Sequence, residues 1–127
     1  MTRSRSSAKQ AGTNHETSVA GYLNYYVDSR IERRTKNGAV DRGDIAGLVH
    51  FGIRIVVQCK EYGGKFLVGT WLGQVDRQRG NDDAGAGLVV AKRKGTTDPG
   101  DQVVFMTLRD LVALLTGERP DENGHAA

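Results

Sequence analysis

The sequence predicts an α/β fold in which a mixed central β-sheet is flanked by helices. Three observations carry that prediction. Short apolar runs rich in β-branched residues, "IRIVVQ" and "LVVA" among them, are separated by segments of helical periodicity. The elements read in the order α, β, β, β, α, β, β, α, a mixture that calls for helices covering a sheet. The helical segment between the third and fourth strands is placed as a crossover that joins parallel strands.

Bulk properties set the frame. A chain of 127 residues is expected to form one domain. Its 38% apolar and 26% charged residues fit a soluble fold with loose ends. The expected division is a disordered basic arm over 1–12, a folded domain over 13–117 and a disordered tail over 118–127. No run approaches the ~20 apolar residues needed to span a bilayer. The basic start "MTRSRSSAKQAG" lacks the hydrophobic region of a secretory signal. A single cysteine, Cys59, excludes an intrachain disulfide and a zinc-cluster spacing, so a reducing cytoplasm is the expected location.

The first helix is expected from Thr13, which with Glu16 makes a capping box. Val19, Ala20, Leu23 and Val27 follow at helical spacing. "RIERRTK" reads as a short strand ending in the turn signal Asn37-Gly38. "DIAGLVH" and "IRIVVQCK" read as a hairpin around His50-Phe51-Gly52, with glycine in the left-handed position of a three-residue loop. "FLVGTWLGQVDRQR" has a helical apolar face at 67, 68, 71, 72 and 75. "LVVAKRK" and "QVVFMTL" are strands. "LRDLVALLTG" is the last helix, with Thr107 as N-cap and Gly117 as stop.

Strand alternation then places the polar residues. Ile53, Ile55, Val57 and Cys59 take one face, and Arg54, Val56, Gln58 and Lys60 the other. A three-residue loop pairs 49 with 53, 47 with 55 and 44 with 58. Asp44 therefore falls opposite Gln58, on the face of Lys60. A two-residue loop would turn Asp44 to the wrong face. Glu16 sits at the end of the apolar stripe of its helix, either as a cap alone or as a fourth member of the group. Asp44 and the Gln58 oxygen make an oxygen-rich site suited to Mg²⁺ or Mn²⁺, with Glu16 completing the shell through water. Lys60 would position or deprotonate an attacking water, and such a set hydrolyses phosphodiesters.

Charge is clustered. Arg33, Arg34, Lys36 and Arg42 surround the turn before Asp44, and Lys92, Arg93 and Lys94 end a strand. Such surplus suits a polyanion, and these seven residues are the expected DNA contacts. His15, His50 and His125 are scattered, which argues against a histidine metal site.

The pattern of Glu16, "GDI" with Asp44, and "VVQCK" with Gln58 and Lys60 resembles the PD-(D/E)xK, restriction-endonuclease-like nuclease superfamily. Within it the likeness is greatest to small archaeal and phage-type Holliday junction resolvases, through "ERRTKNGAVDRGDIAG" and "WLGQVDRQRG". The resemblance covers residues 11 to 116. It implies an α-β-β-β-α-β core followed by a C-terminal strand and helix. It also implies a Mg²⁺- or Mn²⁺-dependent DNA endonuclease, a homodimer cutting four-way junctions, and a phage or bacterial recombination protein. Gly43 stands where the superfamily's name expects proline, and Gln58 where it expects Asp or Glu. A glutamine there resembles a subgroup of restriction-type nucleases. The alternatives are a restriction-type or nicking enzyme on ordinary duplex, and a catalytically inactive DNA-binding module.

Overall fold

The structure, a computed structural model, describes residues 3–35 and 38–121. Helix α1 runs Arg5–Tyr26, followed by the strands β1 (Glu32–Arg33), β2 (Ile45–Ala46), β3 (Val49–His50) and β4 (Ile53–Lys60). Helix α2 (Val68–Asn81) leads to β5 (Ala86–Ala91), and β6 (Val103–Phe105) to α3 (Leu108–Thr116). The sheet order is β1-β2-β4-β5-β6, with β3 also paired to β4. β4 and β5 are parallel, as the crossover reading of α2 requires, and the other pairs are antiparallel.

Burial follows the expected alternation of β4. Val57 and Cys59 pack with Val19 and Ala20 of α1, and Ile55 packs with Ala113 of α3. Val56 faces the other way, against Trp71 and Val75 of α2. The sheet is thus sandwiched between α1 and α3 on one side and α2 on the other. Each fully buried Val or Trp side chain contributes about 1.5–3 kcal/mol of transfer free energy.

Three expectations need correction. Helix α1 begins at Arg5 rather than Thr13, so residues 5–12 of the expected disordered arm belong to the helix. Ser4 caps it, its hydroxyl accepting the Ser7 N–H at 3.2 Å, and the helix-favouring Ala8, Lys9, Gln10 and Ala11 carry it forward. Thr13 and Glu16 are therefore interior residues and form no capping box.

The hairpin loop has two residues, not three. His50 pairs with Ile53 and Val49 with Arg54, leaving Phe51 (φ 49°) and Gly52 (φ 78°) in the left-handed turn such loops favour. That register alone would rotate Asp44 off the face of Gln58. A bulge at Gly47-Leu48 restores it, because beyond it Ile45 pairs with Val57. Gly47 (φ 90°) is required there, since a Cβ would lie 2.5 Å from the Arg30 carbonyl oxygen.

The third correction concerns the tail, whose residues 122–127 lie outside the described residues. Arg119 is anchored. Its guanidinium donates to the Gly85 carbonyl at 3.2 Å and to the Asp110 carboxylate at 2.5 Å, and lies 3.5 Å from Asp76 of α2. Asp110 is only 2% exposed and also accepts from the Gly87 N–H and the Thr107 hydroxyl. The helix it opens otherwise follows expectation, with Thr107 as N-cap and Gly117 (φ 77°) as C-cap.

Removing one partner of a buried ion pair strands the other charge. Arg119→Ala is expected to lower unfolding free energy by about 3 kcal/mol in urea titrations; a loss of about 0.5 kcal/mol or less would mean the pair acts as a surface one.

His15 predicts a pH dependence. Its ring is buried and its Nε2–H donates to the Val90 carbonyl at 2.9 Å. Burial lowers its pKa below the ordinary 6.5, the Val90 bond opposes that, and Lys92 adds to it. The unfolded chain then binds the proton more readily than the folded one. The stabilising effect is full above pH 6.5 and declines as pH falls from there toward the depressed folded value. His15→Gln should flatten the stability slope between about pH 5 and 7, measured by thermal unfolding; an unchanged slope would assign it to other groups.

Candidate functional site

Topology gathers the polar residues at one end of the sheet. β4 and β5 are parallel, so their carboxyl ends, Lys60 and Ala91, lie side by side. β2 is antiparallel to β4, which brings its start at Asp44 to that end, and β1, antiparallel to β2, delivers Arg33 and Arg34 there. Ligands of open α/β sheets bind outside the carboxyl ends of their strands.

Asp44 is 6% exposed and attached to β4 twice. Its N–H donates to the Val57 carbonyl at 2.9 Å. Its carboxylate Oδ2 accepts the Cys59 N–H at 2.8 Å. These two bonds bracket Gln58. The Asp44 carbonyl in turn accepts the Arg34 N–H at 2.7 Å, which ties β1 into the same corner.

Gln58 is half-buried, and its Oε1, like that of Gln78, is buried with no hydrogen-bond partner among the described residues. An orphaned amide oxygen costs about 1–3 kcal/mol, so its retention asks for an explanation such as an ion or an unplaced donor. Lys60 shares its face. The Lys60 ammonium lies 5.8 Å from the Trp71 ring centre and 5.9 Å from that of Tyr62, within cation–π range. Trp71 is buried between Tyr62 and Phe105, with centroids 5.1 and 6.1 Å away, which makes it a packing residue that also seats the lysine.

Glu16 stands apart from this trio. It is carried by α1, on the layer opposite Gln58 and Lys60, and Arg33 donates to its carboxylate at 3.1 Å. Its charge is felt nonetheless at the core. Burial pushes the Cys59 thiol well above its usual range, and the negative charges of Asp44 and then Glu16 push it further. The structure thus bonds Asp44 to β4 on either side of Gln58, sets Gln58 and Lys60 on one face of that strand, and leaves Glu16 at the flank. Among the described residues, no three His, Cys, Asp or Glu side chains converge to hold a metal ion. The donor set for a hard cation is the Asp44 carboxylate and the orphaned Gln58 amide oxygen, a chemistry that fits Mg²⁺ or Mn²⁺.

The expected DNA contacts divide. Arg42 is exposed and lines a cavity of about 540 Å³ with Arg34 and the backbone of Gly38 to Gly43. Arg34 also lies 3.8 Å from Asp82, and Arg33 holds Glu16. Lys92 turns inward to the Arg93 and Thr96 carbonyls, and Arg93 reaches the Asp101 carbonyl at 3.3 Å. Lys94 is exposed. Lys36 lies outside the described residues.

Sequence reasoning missed Asp41. One of its carboxylate oxygens accepts the Gly43 N–H at 3.0 Å and the other the Gln78 amide at 2.9 Å, while its carbonyl accepts from Asn81. The signal was present, since Asp-x-Gly is an Asx-turn. This turn explains the departure at Gly43. Its φ is 91°, and a Cβ there would meet the Val56 side chain at 2.7 Å and the Val57 carbonyl oxygen at 3.0 Å. Proline, locked near −65° and lacking the N–H, cannot occupy it.

No family model, curated protein or solved structure matches the chain.

Gly43→Pro is expected to cost roughly 3 kcal/mol of stability in chemical denaturation; a neutral effect would refute the tight turn. Gln58→Leu should raise stability by about 1 kcal/mol, because it removes an unpaired buried oxygen. A lower stability in that variant would mean the oxygen is already satisfied within the fold.

Proposed function

We propose that this chain is a metal-dependent DNA endonuclease of the restriction-endonuclease-like class that hydrolyses phosphodiesters, with branched DNA such as the four-way junction as its substrate. The observation that carries this reading is Asp44 bonded to β4 on either side of Gln58, whose buried Oε1 has no hydrogen-bond partner among the described residues, with Lys60 two positions on along the same strand face as Gln58. The element order and the parallel β4–β5 pair agree with an α-β-β-β-α-β core followed by a strand and helix.

Asp44 and Gln58 would hold Mg²⁺ or Mn²⁺, and Glu16 would reach it through water from the α1 side. When bound, such an ion would supply Lewis acidity that acidifies water and offsets charge developing on the phosphate. Asp44 is fixed by its bonds to β4, so its carboxylate needs little reorganisation. Lys60, steadied by two aromatic faces, orients the attacking water and stabilises the negative charge of the transition state. A water oxygen would bond to phosphorus as its proton passes to solvent, the bond to the leaving oxygen would break and that oxygen take a proton from solvent, with no covalent intermediate on the protein. Arg42 and Lys94, exposed near this end, are suited to phosphate contacts that set register.

Two matched cuts call for two sites, hence a twofold homodimer. The segment Val103 to Leu115, with Val104, Leu108 and Leu115 exposed, is the proposed contact.

A specific observation favours a second reading, a DNA-binding module without catalysis. One Asp44 oxygen already serves the Cys59 N–H and Glu16 already pairs with Arg33, which leaves few charges for a metal.

Cleavage of a labelled four-way junction, beside linear duplex at matched salt, separates these readings. Metal-dependent paired cuts in the junction, absent in EDTA, are expected. Asp44→Asn keeps an acceptor for the Cys59 N–H, so it should fold normally yet lose activity at least about 100-fold. Equal cutting of both substrates would favour a duplex nuclease. Binding without cutting in Mg²⁺ or Mn²⁺ would favour the non-catalytic module.

A further inference from the structure

The chain leaving Lys60 carries an apolar surface of which the fold and the chemistry above employ only the inner face of Tyr62. Residues 61–67 connect β4 to α2, turning at Gly63 (φ 63°) and Gly64 (φ 90°), with the Lys65 N–H bonded to the Tyr62 carbonyl at 3.2 Å. Tyr62, Phe66, Leu67 and Val68 are each between 41% and 49% exposed. Isolated exposed apolar residues are ordinary, but four within seven positions, beside a polar site, form a patch that marks an interaction surface.

The surroundings state the partner's charge. Lys65 is exposed within the loop itself. Gly64 packs so closely on Lys94 that a Cβ would fall 2.8 Å from the lysine's own Cβ. Lys60 lies against Tyr62 on the inner side. The first turn of α2 carries no acidic residue, and Leu67 offers no side-chain cap, so its free N–H groups add positive potential. Glu61 at the start of the loop is neutralised by Arg3 and accepts the Gly63 N–H, so the apolar tip flanked by Lys65 and Lys94 matches a partner that is anionic outside and apolar inside. Stacked bases between phosphate strands have that character.

We propose that the β4–α2 loop is a wedge whose Phe66 and Leu67 enter DNA at an unstacked step, while Lys65 and Lys94 take the flanking phosphates. Apolar side chains inserted between base steps cost a few kcal/mol of unstacking in continuous duplex. At a branch point or unpaired base that cost is already met, so a wedge selects branched DNA without reading sequence. Tyr62 rests on Trp71, whose indole is in turn fixed by Phe105, and this gives the wedge a rigid base. The position beside Lys60 would place the opened step next to the phosphate to be cut, and in this respect the inference rests on the proposed endonuclease activity.

The test reads unstacking rather than cleavage. A four-way junction carrying 2-aminopurine at the branch, and a linear duplex carrying it internally, are titrated with the protein in EDTA. The wild type is expected to raise emission several-fold at the branch and little in the duplex. Phe66→Ser/Leu67→Ser should remove that rise and weaken junction binding about tenfold, with duplex binding within about twofold. Both positions are substantially exposed, so the variant should fold, which circular dichroism checks; Phe66→Leu should retain most of the signal. Junction binding without an emission rise, or equal losses on both substrates, would overturn the wedge. So would a dimer that becomes a monomer in the double variant, which would assign the patch to a second copy of the chain. A wild type that unstacks the junction yet cuts nothing in Mg²⁺ or Mn²⁺ would sink the nuclease reading and leave the wedge standing.

Discussion

Asp44 is bound to β4 through its amide and again through its carboxylate, and the rest of the site depends on that double attachment. The Val57 carbonyl and the Cys59 N–H lie on either side of Gln58. With both held, the start of β2 has only one position along β4, and β1 is fixed in turn because Arg34 bonds to the Asp44 carbonyl. A buried carboxylate is costly unless hydrogen-bonded, and the strand amide it accepts offsets part of that cost. The same contact is therefore structural and chemical. It closes an exposed strand end while holding a negative oxygen group against the β4 backbone next to Gln58, whose Oε1 has no hydrogen-bond partner among the described residues.

The cations around this corner follow from topology more than from local sequence. Arg33 and Arg34 come from an edge strand, Lys60 from the centre and Lys94 from the connection after β5, yet antiparallel and parallel pairing bring them to one end. Several are partly committed. Arg33 neutralises Glu16, Arg34 approaches Asp82, and Lys92 closes its own loop on backbone carbonyls. The positive surface left over is Arg42 on one side and Lys65 with Lys94 on the other. Between them stand the trio and the apolar loop that follows it.

How far the sequence discloses this depends on the range of the interaction. Strand alternation correctly separated Gln58 and Lys60 from Val57 and Cys59, because period two is a property of the backbone itself. The caps of α3 were legible for the same reason, each resting on one residue and its near neighbours. The opposition of Asp44 and Gln58 was reached through a loop of the wrong length. The real loop is one residue shorter, and the Gly47 bulge, fixed by a close approach to Arg30, adds that residue back. Such a compensation depends on a contact between distant segments and leaves no local mark. The capping box expected of Thr13 and Glu16 fails because Ser4, much earlier, begins the helix. The anchoring of Arg119 was hidden as well, since Asp110 and Gly85 are neighbours only in the folded chain. Gly43 was visible as a departure, but its reason required the Val56 side chain beneath it.

Whether Asp44 and Gln58 take a divalent ion is the point on which the account turns, and paramagnetic broadening by Mn²⁺ in two-dimensional NMR addresses it most directly. At substoichiometric Mn²⁺, the Gln58 side-chain amide and the backbone amides of Asp44, Cys59 and Lys60 should broaden before any others, and Asp44→Asn should abolish the effect. Sharp Gln58 and Cys59 signals, with broadening instead at exposed acids such as Asp98 and Asp101, would contradict a metal-binding role for this corner.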